Sequence, residues 1–554
     1  MKSYDVGLEP FVSLIMPVGK AVDIKYSNVT AVSDASRTFL SAKGKSFNNF
    51  NSDKSNEQVI LGNNGILFED DDFYLKIYVD PFRTVPLFYS ESDGLCISSD
   101  IKQCLIHAID DEVDKVGFWE LIKYGMCLGN RTIYKNVKQF SGASYLKINK
   151  NKLEYSFGNY WDYCVPEDQS INSMSEATFR LNNLLSREFK NSTSISNKYV
   201  MGISGGLDSR LSLNYLSGFA DKKKISLFTF GNYENTLEYK YSKKIAEISG
   251  CREPVFCKLG VQSYVDSLLG LSVKSAGQIN LIHGHIIDCL SSKNLYSDGS
   301  YQISNYFSDA LFGWCCINPP EDIKVGFNRK IKNIMSDKYI PLDVKDGLID
   351  DMKGIYKRIS LKNHNYSSFD EYFYLVEKNI KLHSYLMHFQ SSLAPIVSPY
   401  SSTKLIEFMI SVPIEFRQGK EIINSLLVTS SIFSDYKLND ISSRDYAGAT
   451  SKLSWKSFYG MKFKIINRVN IILDLMSGGK YRVKNVNHSE DLQGVYHRKF
   501  KGKMKEAVSF LVEEGILSKE VSSKRFKPLR LKPTDIGENL HLLSIVQAIR
   551  SLKK

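Results

Sequence analysis

The stretch Lys198-Tyr199-Val200-Met201-Gly202-Ile203-Ser204-Gly205-Gly206-Leu207-Asp208-Ser209-Arg210 decides how this chain is read. A short apolar run of strand length enters a Gly-rich turn and leaves it in a helical pattern through Leu211, Leu213 and Leu216. Ser and Gly let several backbone N–H groups converge on one anion, and the helix N-terminus behind them adds partial positive charge. Asp208 sets a hard oxygen ligand beside that turn, where Mg2+ carried by a nucleotide needs one. The Gly-Lys-Ser/Thr ending of a Walker loop is absent, so a phosphate loop of another kind is expected. Gly202-Ile203-Ser204-Gly205-Gly206 also fits the letters of a seryl-hydrolase elbow, but its continuation through Leu207-Asp208-Ser209 follows the phosphate-loop pattern. The plainer alternative is a tight strand–helix turn with Asp208 as an N-terminal charge.

Outward from this loop, Ile225 to Phe230 reads as a second buried strand and Glu238 to Ser249 as a second helix. Strand and helix in alternation predict a parallel sheet with crossover helices. Glu176 to Lys190 predicts an amphipathic helix with Phe179, Leu181, Leu184, Leu185 and Phe189 inward, and helical patterns dominate from about residue 370. Residues 1 to about 165 are instead strand-rich: Val59 to Leu61, Ile66 to Phe68, Phe73 to Val79 and Leu95 to Ser98 are short β-type runs. Tyr145 to Ile148 and Leu153 to Phe157 flank Asn149-Lys150-Asn151 as a hairpin. Pro166 to Ser170 reads as a linker, which divides the chain into 1–165 and 175–554. No internal repeat is evident.

The chain has 554 residues, 43% hydrophobic and 24% charged, which excludes dominant disorder, collagen-like and low-complexity classes. Lys and Arg number 72 against 60 Asp and Glu, a formal charge of +12 that permits an anionic substrate without selecting one. Nine scattered cysteines, none in C-x-x-C spacing, fit a reducing compartment better than a disulfide framework or a zinc site. The start lacks a secretory pattern and no apolar stretch reaches the ~18 residues of a membrane span; a cytoplasmic protein is expected. His283-Gly284-His285 has metal-ligand spacing but no third ligand, and a plain turn or helix pair is the readier reading. Lys524 to Arg530 is basic but has no aromatic platform, so a solvated surface is expected and no nucleic-acid partner.

Ser204 to Arg210 resembles the pyrophosphate loop of asparagine-synthetase-like enzymes, a family that includes asparagine synthetase B, β-lactam synthetases, lasso-peptide cyclases and amidotransferases of surface-polysaccharide clusters. Other segments extend the resemblance over most of the chain. Asp80 to Tyr89 is similar to the family's Asp-x-x-Gly-x-Arg-Pro-Leu-Tyr-Tyr, Ser98 to Lys102 to its Ala-Ser-Glu-Ile-Lys, and Arg131 to Val137 to its Arg-Thr-Ile-Phe-Lys-Gly-Ile. Thr229-Phe230-Gly231 resembles the strand whose backbone faces adenine, and Ser304 to Gly313 resembles Ser-Gly-Glu-Gly-Ser-Asp-Glu-Leu-Phe-Gly.

The resemblance implies an N-terminal α+β glutaminase-like (Ntn-type) sandwich and a C-terminal α/β pyrophosphatase-loop domain with a helical end. It implies ATP held by Ser204, Gly205, Gly206, Leu207, Asp208, Ser209, Arg210, Phe230 and Gly231, with Mg2+ on Asp208 and Asp309. Tyr306 stands where asparagine synthetases have Glu and the β-lactam branch has Tyr; it is a candidate proton acceptor or substrate contact, with a buried aromatic as the alternative. Glu377 is its candidate partner, or a solvated helix-face residue. Val397 and Ser402 replace Arg and Asp of the segment resembled by Ala394 to Tyr400. Tyr446 occupies the position of the family's catalytic lysine near Arg444, so Lys452 or Lys456 is the candidate replacement.

The family's glutaminase uses an N-terminal Cys as nucleophile and base. Here Lys2 follows Met1 and the first cysteine is Cys96. The expectation is therefore a degenerate first domain without glutaminase activity, joined to an AMP-forming carbon–nitrogen ligase. A small-molecule, sugar-acid or peptide carboxylate would be joined to an amine or ammonia, and a homodimer fits the same reading. Two alternatives stand beside it. One is a non-catalytic nucleotide-binding scaffold, suggested by the altered positions Ala310, Val397, Ser402 and Tyr446. The other, if the start is misassigned, is a glutamine-dependent asparagine synthase.

Overall fold

The computed structural model describes residues 65–278, 295–429, 500–526 and 533–553, less short gaps, and the backbone of four strands between residues 12 and 42. Among the described residues, eleven strands precede residue 160: β1 (Val12–Pro17), β2 (Asp23–Tyr26), β3 (Val29–Ser33), β4 (Arg37–Ala42), β5 (Ile66–Asp70), β6 (Tyr74–Val79), β7 (Phe88–Glu91), β8 (Gly94–Ser98), β9 (Val137–Gln139), β10 (Ser144–Asn149) and β11 (Tyr155–Asn159). They form two antiparallel sheets, ordered β2-β1-β8-β7-β9 and β11-β10-β6-β5-β4-β3. The β10–β11 pair is the hairpin expected around Asn149.

Alternation along each strand sets which face is covered. In β10, Ser144, Leu146 and Ile148 are buried while the residues between them are partly exposed. Leu146 and Ile148 join Ile66, Phe68, Leu75 and Ile77 of their own sheet and Tyr89, Leu95 and Ile97 of the other in one apolar cluster, so the sheets stack face to face. The alternate residues, Phe88 and Cys96, point to the other side and join the apolar cluster that includes Ile101, Leu105, Phe118 and Trp119 of helices Ile101–His107 and Lys115–Tyr124.

A third sheet is parallel throughout: β12 (Lys198–Gly202), β13 (Ile225–Gly231), β14 (Val255–Lys258), β15 (Ser300–Ile303) and β16 (Ile396–Val397), ordered β14-β13-β12-β15-β16. Its order runs outward in both directions from β12 and β15. Chains leaving the carboxyl ends of those two adjacent strands diverge to opposite sides and open a crevice. Helix Leu207–Phe219 follows β12 and helix Leu237–Ile248 follows β13, as the alternation predicted.

Helix Met174–Thr193 covers the expected amphipathic segment. Its buried stripe is Ala177, Leu181, Leu185 and Phe189, a strict four-residue repeat. Phe179 lies off that stripe by about 200° and is 66% exposed, contrary to the expectation that it faces inward.

Phe82, Met126, Leu128 and Tyr163 of the strand-rich region belong to the same apolar cluster as Met201, Ile203, Tyr306 and Ile380. The antiparallel and parallel regions are thus packed on one core. The expected linker 166–170 lies outside the described residues. Among the described residues no helix is long and apolar enough to cross a membrane.

Candidate functional site

The carboxyl end of β12 delivers Ile203 and Ser204 to the crevice. Gly202 lies against the Phe228 ring, where a Cβ would stand 3.1 Å from Cζ. The loop is tied to itself. Ser204 Oγ accepts from Gly206 N (3.1 Å), and Ser209 Oγ donates to Ser204 O and Gly206 O (both 3.1 Å) and accepts from Ser204 N (3.2 Å). Gly206 caps helix Leu207–Phe219 with no side-chain bond, so the first-turn N–H groups that a capping residue normally satisfies are left for another acceptor. The end of β13 lies beside it: Thr229 Oγ1 donates to Ile203 O, as does Ser242 Oγ at 3.0 Å. Phe230 and Gly231 close that strand, and Gly231 O accepts from Leu259 N (2.8 Å).

Adjacent β15 delivers the second half of the site. Residues 304–309 lead into the short helix Ser308–Leu311, whose first turn carries Asp309. Asn305 Oδ1 accepts from Ser212 Oγ (2.6 Å), and Ser212 also meets the Tyr400 hydroxyl (2.7 Å), which locks this segment onto helix Leu207–Phe219. Asp208 and Asp309, 101 positions apart in the chain, are brought to the same lysine ammonium.

Between them stands Lys420. Its Nζ donates to Asp208 Oδ2 (2.6 Å) and Asp309 Oδ1 (3.0 Å). Sequence reasoning missed this lysine and set its candidates at Lys452 or Lys456, which, with Arg444 and Tyr446, lie outside the described residues, as do His283 and His285. The turn presenting Lys420 is anchored from below. Arg417, fully buried, pairs with buried Glu371 and donates through Nε to Val412 O (3.1 Å), and Gln418 Nε2 donates to Ile317 O (2.8 Å). Gly419 and Lys420 then both turn left-handed, at φ +62. Gly313, at φ +86, lets this turn approach, for a Cβ there would stand 2.1 Å from Arg417 O.

The charges respond to one another. Burial, together with the neighbouring Asp309 carboxylate and against the pull of Lys420, pushes the Asp208 carboxyl up to about 7. Asp309 is 56% exposed; its partial burial is outweighed by its neighbours Asp208 and Lys420, which hold it below the usual carboxylate range. Burial works against the Lys420 ammonium, but the two carboxylates hold it above its ordinary value. Half-buried His383, near Asp309, is pushed down to about 4, chiefly by loss of solvent around its ring.

These groups suit a nucleotide-borne divalent cation. Asp208 Oδ1 is buried and accepts no hydrogen bond, both donors are hard carboxylate oxygens, and an ammonium already lies between them. Among the described residues no group of three or more His, Cys, Asp or Glu is placed to hold a metal. A cation at Asp208 and Asp309 would take its remaining ligands from phosphate and water, as Mg2+ commonly does.

Tyr306 and Glu377 are not brought together. The Tyr306 hydroxyl is buried and donates to Asn379 O (3.0 Å) and Phe82 O (3.3 Å); burial, with Asp80 nearby, holds it far above its ordinary value. Glu377 is 2% exposed, on the π-helical segment Tyr374–His383, where its carboxylate takes Arg358 (2.6 Å), Lys381 (2.6 Å) and Gly129 N (3.2 Å). It is neither solvated nor a partner of Tyr306. Burial is outweighed there by Lys381 and Arg358, so the carboxyl stays below its ordinary value. Lys381 also donates to Cys127 O at 3.1 Å, which makes this cluster a polar bolt between the strand-rich region and the helices. No protein-family model matches the chain, and no curated protein does either.

Proposed function

We propose that the chain is an ATP-dependent carbon–nitrogen ligase that adenylates a carboxylate, releases pyrophosphate and passes the acyl group to an amine or ammonia. The observation that carries this reading is the convergence of Asp208, Asp309 and Lys420 at the mouth of the Ser204–Ser209 loop, on the switch point of a parallel sheet. The resemblance of those segments to asparagine-synthetase-like enzymes supplies the reaction class.

In this reading the uncapped first turn behind Gly206 binds phosphate oxygens through N–H groups aimed along the helix axis. Asp208 and Asp309 hold Mg2+, which when bound neutralises charge on the departing pyrophosphate. Lys420 brings a second positive charge to the same place. The substrate carboxylate oxygen forms a bond to the α-phosphorus as the bond to pyrophosphate breaks. The amine nitrogen then displaces AMP from the acyl carbon and gives up its proton. Phe230 and Gly231 lie beside the loop, where an adenine ring would be received. The strand-rich region acts as a scaffold packed on the same core as the loop.

The test is pyrophosphate release across a panel of sugar acids, amino acids and peptides, with ammonia and amines. Release that depends on the carboxylate and falls by more than about 100-fold in Asp208→Ala supports the proposal; full activity in Asp208→Ala refutes it. ATP binding with no turnover across the panel favours the scaffold alternative.

A further inference from the structure

The segment that carries Asp309 is held in a conformation its own residues do not favour. Phe307, 2% exposed, has φ +75 and ψ −17, a left-handed backbone that is rare for a bulky residue. The motif it resembles has Gly at this position. Phe307 is also the N-cap of the four-residue helix Ser308–Leu311, with no side-chain cap bond, so its backbone sets the direction of that turn and of Asp309. Something outside the segment has to hold it.

The strand-rich region supplies the hold. After β6 the chain makes a tight turn in which the Asp80 carboxylate accepts from Phe82 N (2.8 Å), Thr84 N (3.0 Å) and Thr84 Oγ1 (2.7 Å). The turn is pinned through Pro81 O, which accepts from the Tyr163 hydroxyl (3.0 Å) and sits 2.4 Å from where a Cβ on Gly142 would stand. It projects the Phe82 ring edge-on against Phe307, at 5.0 Å between centroids and 85° between planes. Phe82 O accepts from the Tyr306 hydroxyl, and the Tyr306 ring packs edge-on against Phe307 at 4.7 Å between centroids. Ser398 Oγ donates to Tyr306 O (2.9 Å), which completes the clamp.

We propose that Phe82 is a positioning residue for the cation site: by clamping Phe307 in its left-handed conformation, the strand-rich region sets where Asp309 meets Asp208. This rests on the reading of Asp208 and Asp309 as ligands of a nucleotide-borne cation. It gives the first region a part in the ligase site that needs no glutaminase chemistry.

The experiment is Mn2+ binding, followed by electron paramagnetic resonance on the full-length protein with ATP, with Asp208→Asn as the control that locates the signal. Phe82→Ala should weaken Mn2+ about tenfold, and Phe82→Ala with Phe307→Gly should recover to within about threefold, because glycine holds φ +75 unaided. Lost packing alone would add the two defects and give no rescue. If Phe82→Ala does not fold, Phe82→Leu keeps apolar volume, loses the ring edge, and should weaken Mn2+ about threefold, again rescued by Phe307→Gly. Folded Phe82 variants with unchanged Mn2+ affinity, or no rescue by glycine, overturn the positioning role alone. Failure of the unaltered protein to bind Mn2+ with ATP overturns the functional reading and this role with it.

Discussion

Lys420→Met removes the ammonium that stands between Asp208 and Asp309 and keeps a side chain of similar length. At an effective dielectric of about 20, unit charges about 4 Å apart attract by roughly 4 kcal/mol, and breaking a buried pair costs about 3–5 kcal/mol. The cost here is unequally shared. Asp309 is 56% exposed, so water replaces Lys420 for about 1 kcal/mol or less. Asp208 is only 17% exposed and already sits at about 7; without Lys420, which pulls it down, it moves higher.

A carboxyl whose folded pKa is raised binds its proton more tightly folded than unfolded, so stability falls as pH rises between the unfolded and folded values. The unaltered protein completes that fall near pH 7, whereas Lys420→Met continues to lose about 1.4 kcal/mol per pH unit above it. With an unfolding entropy of about 2.1 cal/mol/K per residue over 554 residues, 1 kcal/mol moves Tm by about 1 °C, so the gap in apparent Tm should widen by roughly 2–3 °C between pH 7 and pH 9. Millimolar Mg2+ should narrow it, since a ligand at 100 times its Kd adds about 2.7 kcal/mol. The assay is thermal unfolding at pH 6, 7, 8 and 9, with and without Mg2+. A gap that stays constant or closes as pH rises would refute the coupling inferred between Lys420 and Asp208.

Other perturbations probe the supports. Gly313→Ala forces a Cβ to within 2.1 Å of Arg417 O at φ +86, and should cost about 1–3 kcal/mol or more in unfolding while lowering pyrophosphate release through the displaced Lys420 turn. Glu377→Gln strips the anion from buried Lys381 and should destabilise by about 3–5 kcal/mol, with Glu377→Leu/Lys381→Met milder; lost turnover at an unchanged Tm would instead make Glu377 catalytic. His383, His388 and His541 are pushed down to about 4, about 3 and about 4 by burial, so their neutral forms favour folding above pH 6.5. That contribution is lost as pH falls toward 4, by about 1.4 kcal/mol per unit for each, and His541→Gln should flatten the acid limb of a Tm-against-pH curve.

The local signals carried far. Apolar runs bounded by turn residues marked β5, β6, β8, β10, β12 and β13, and the switch from alternation to helical spacing near residue 175 separated antiparallel from parallel pairing. The turn from Ser204 to Asp208 was legible because it is contiguous: its serine, its glycines and its carboxylate are neighbours in the chain. Asp309 was singled out only through its motif, since nothing in local periodicity distinguishes it from a capping residue.

What tertiary structure decided lies where contacts span hundreds of residues. Lys420 meets Asp208 across 212 positions, and its selection depends on Gly313, Arg417 and a left-handed turn that no window of sequence displays. Glu377 reads as a surface residue from its helix alone; it is buried because Gly129, Arg358 and Lys381 converge on it from three directions. Phe307 reads as one more core aromatic, yet its backbone is left-handed and its ring meets Phe82, 225 positions earlier, edge-on. Short-range chemistry is written in order along the chain. The partners of a buried charge or a strained turn are chosen by packing, which brings together residues whose spacing carries no signal.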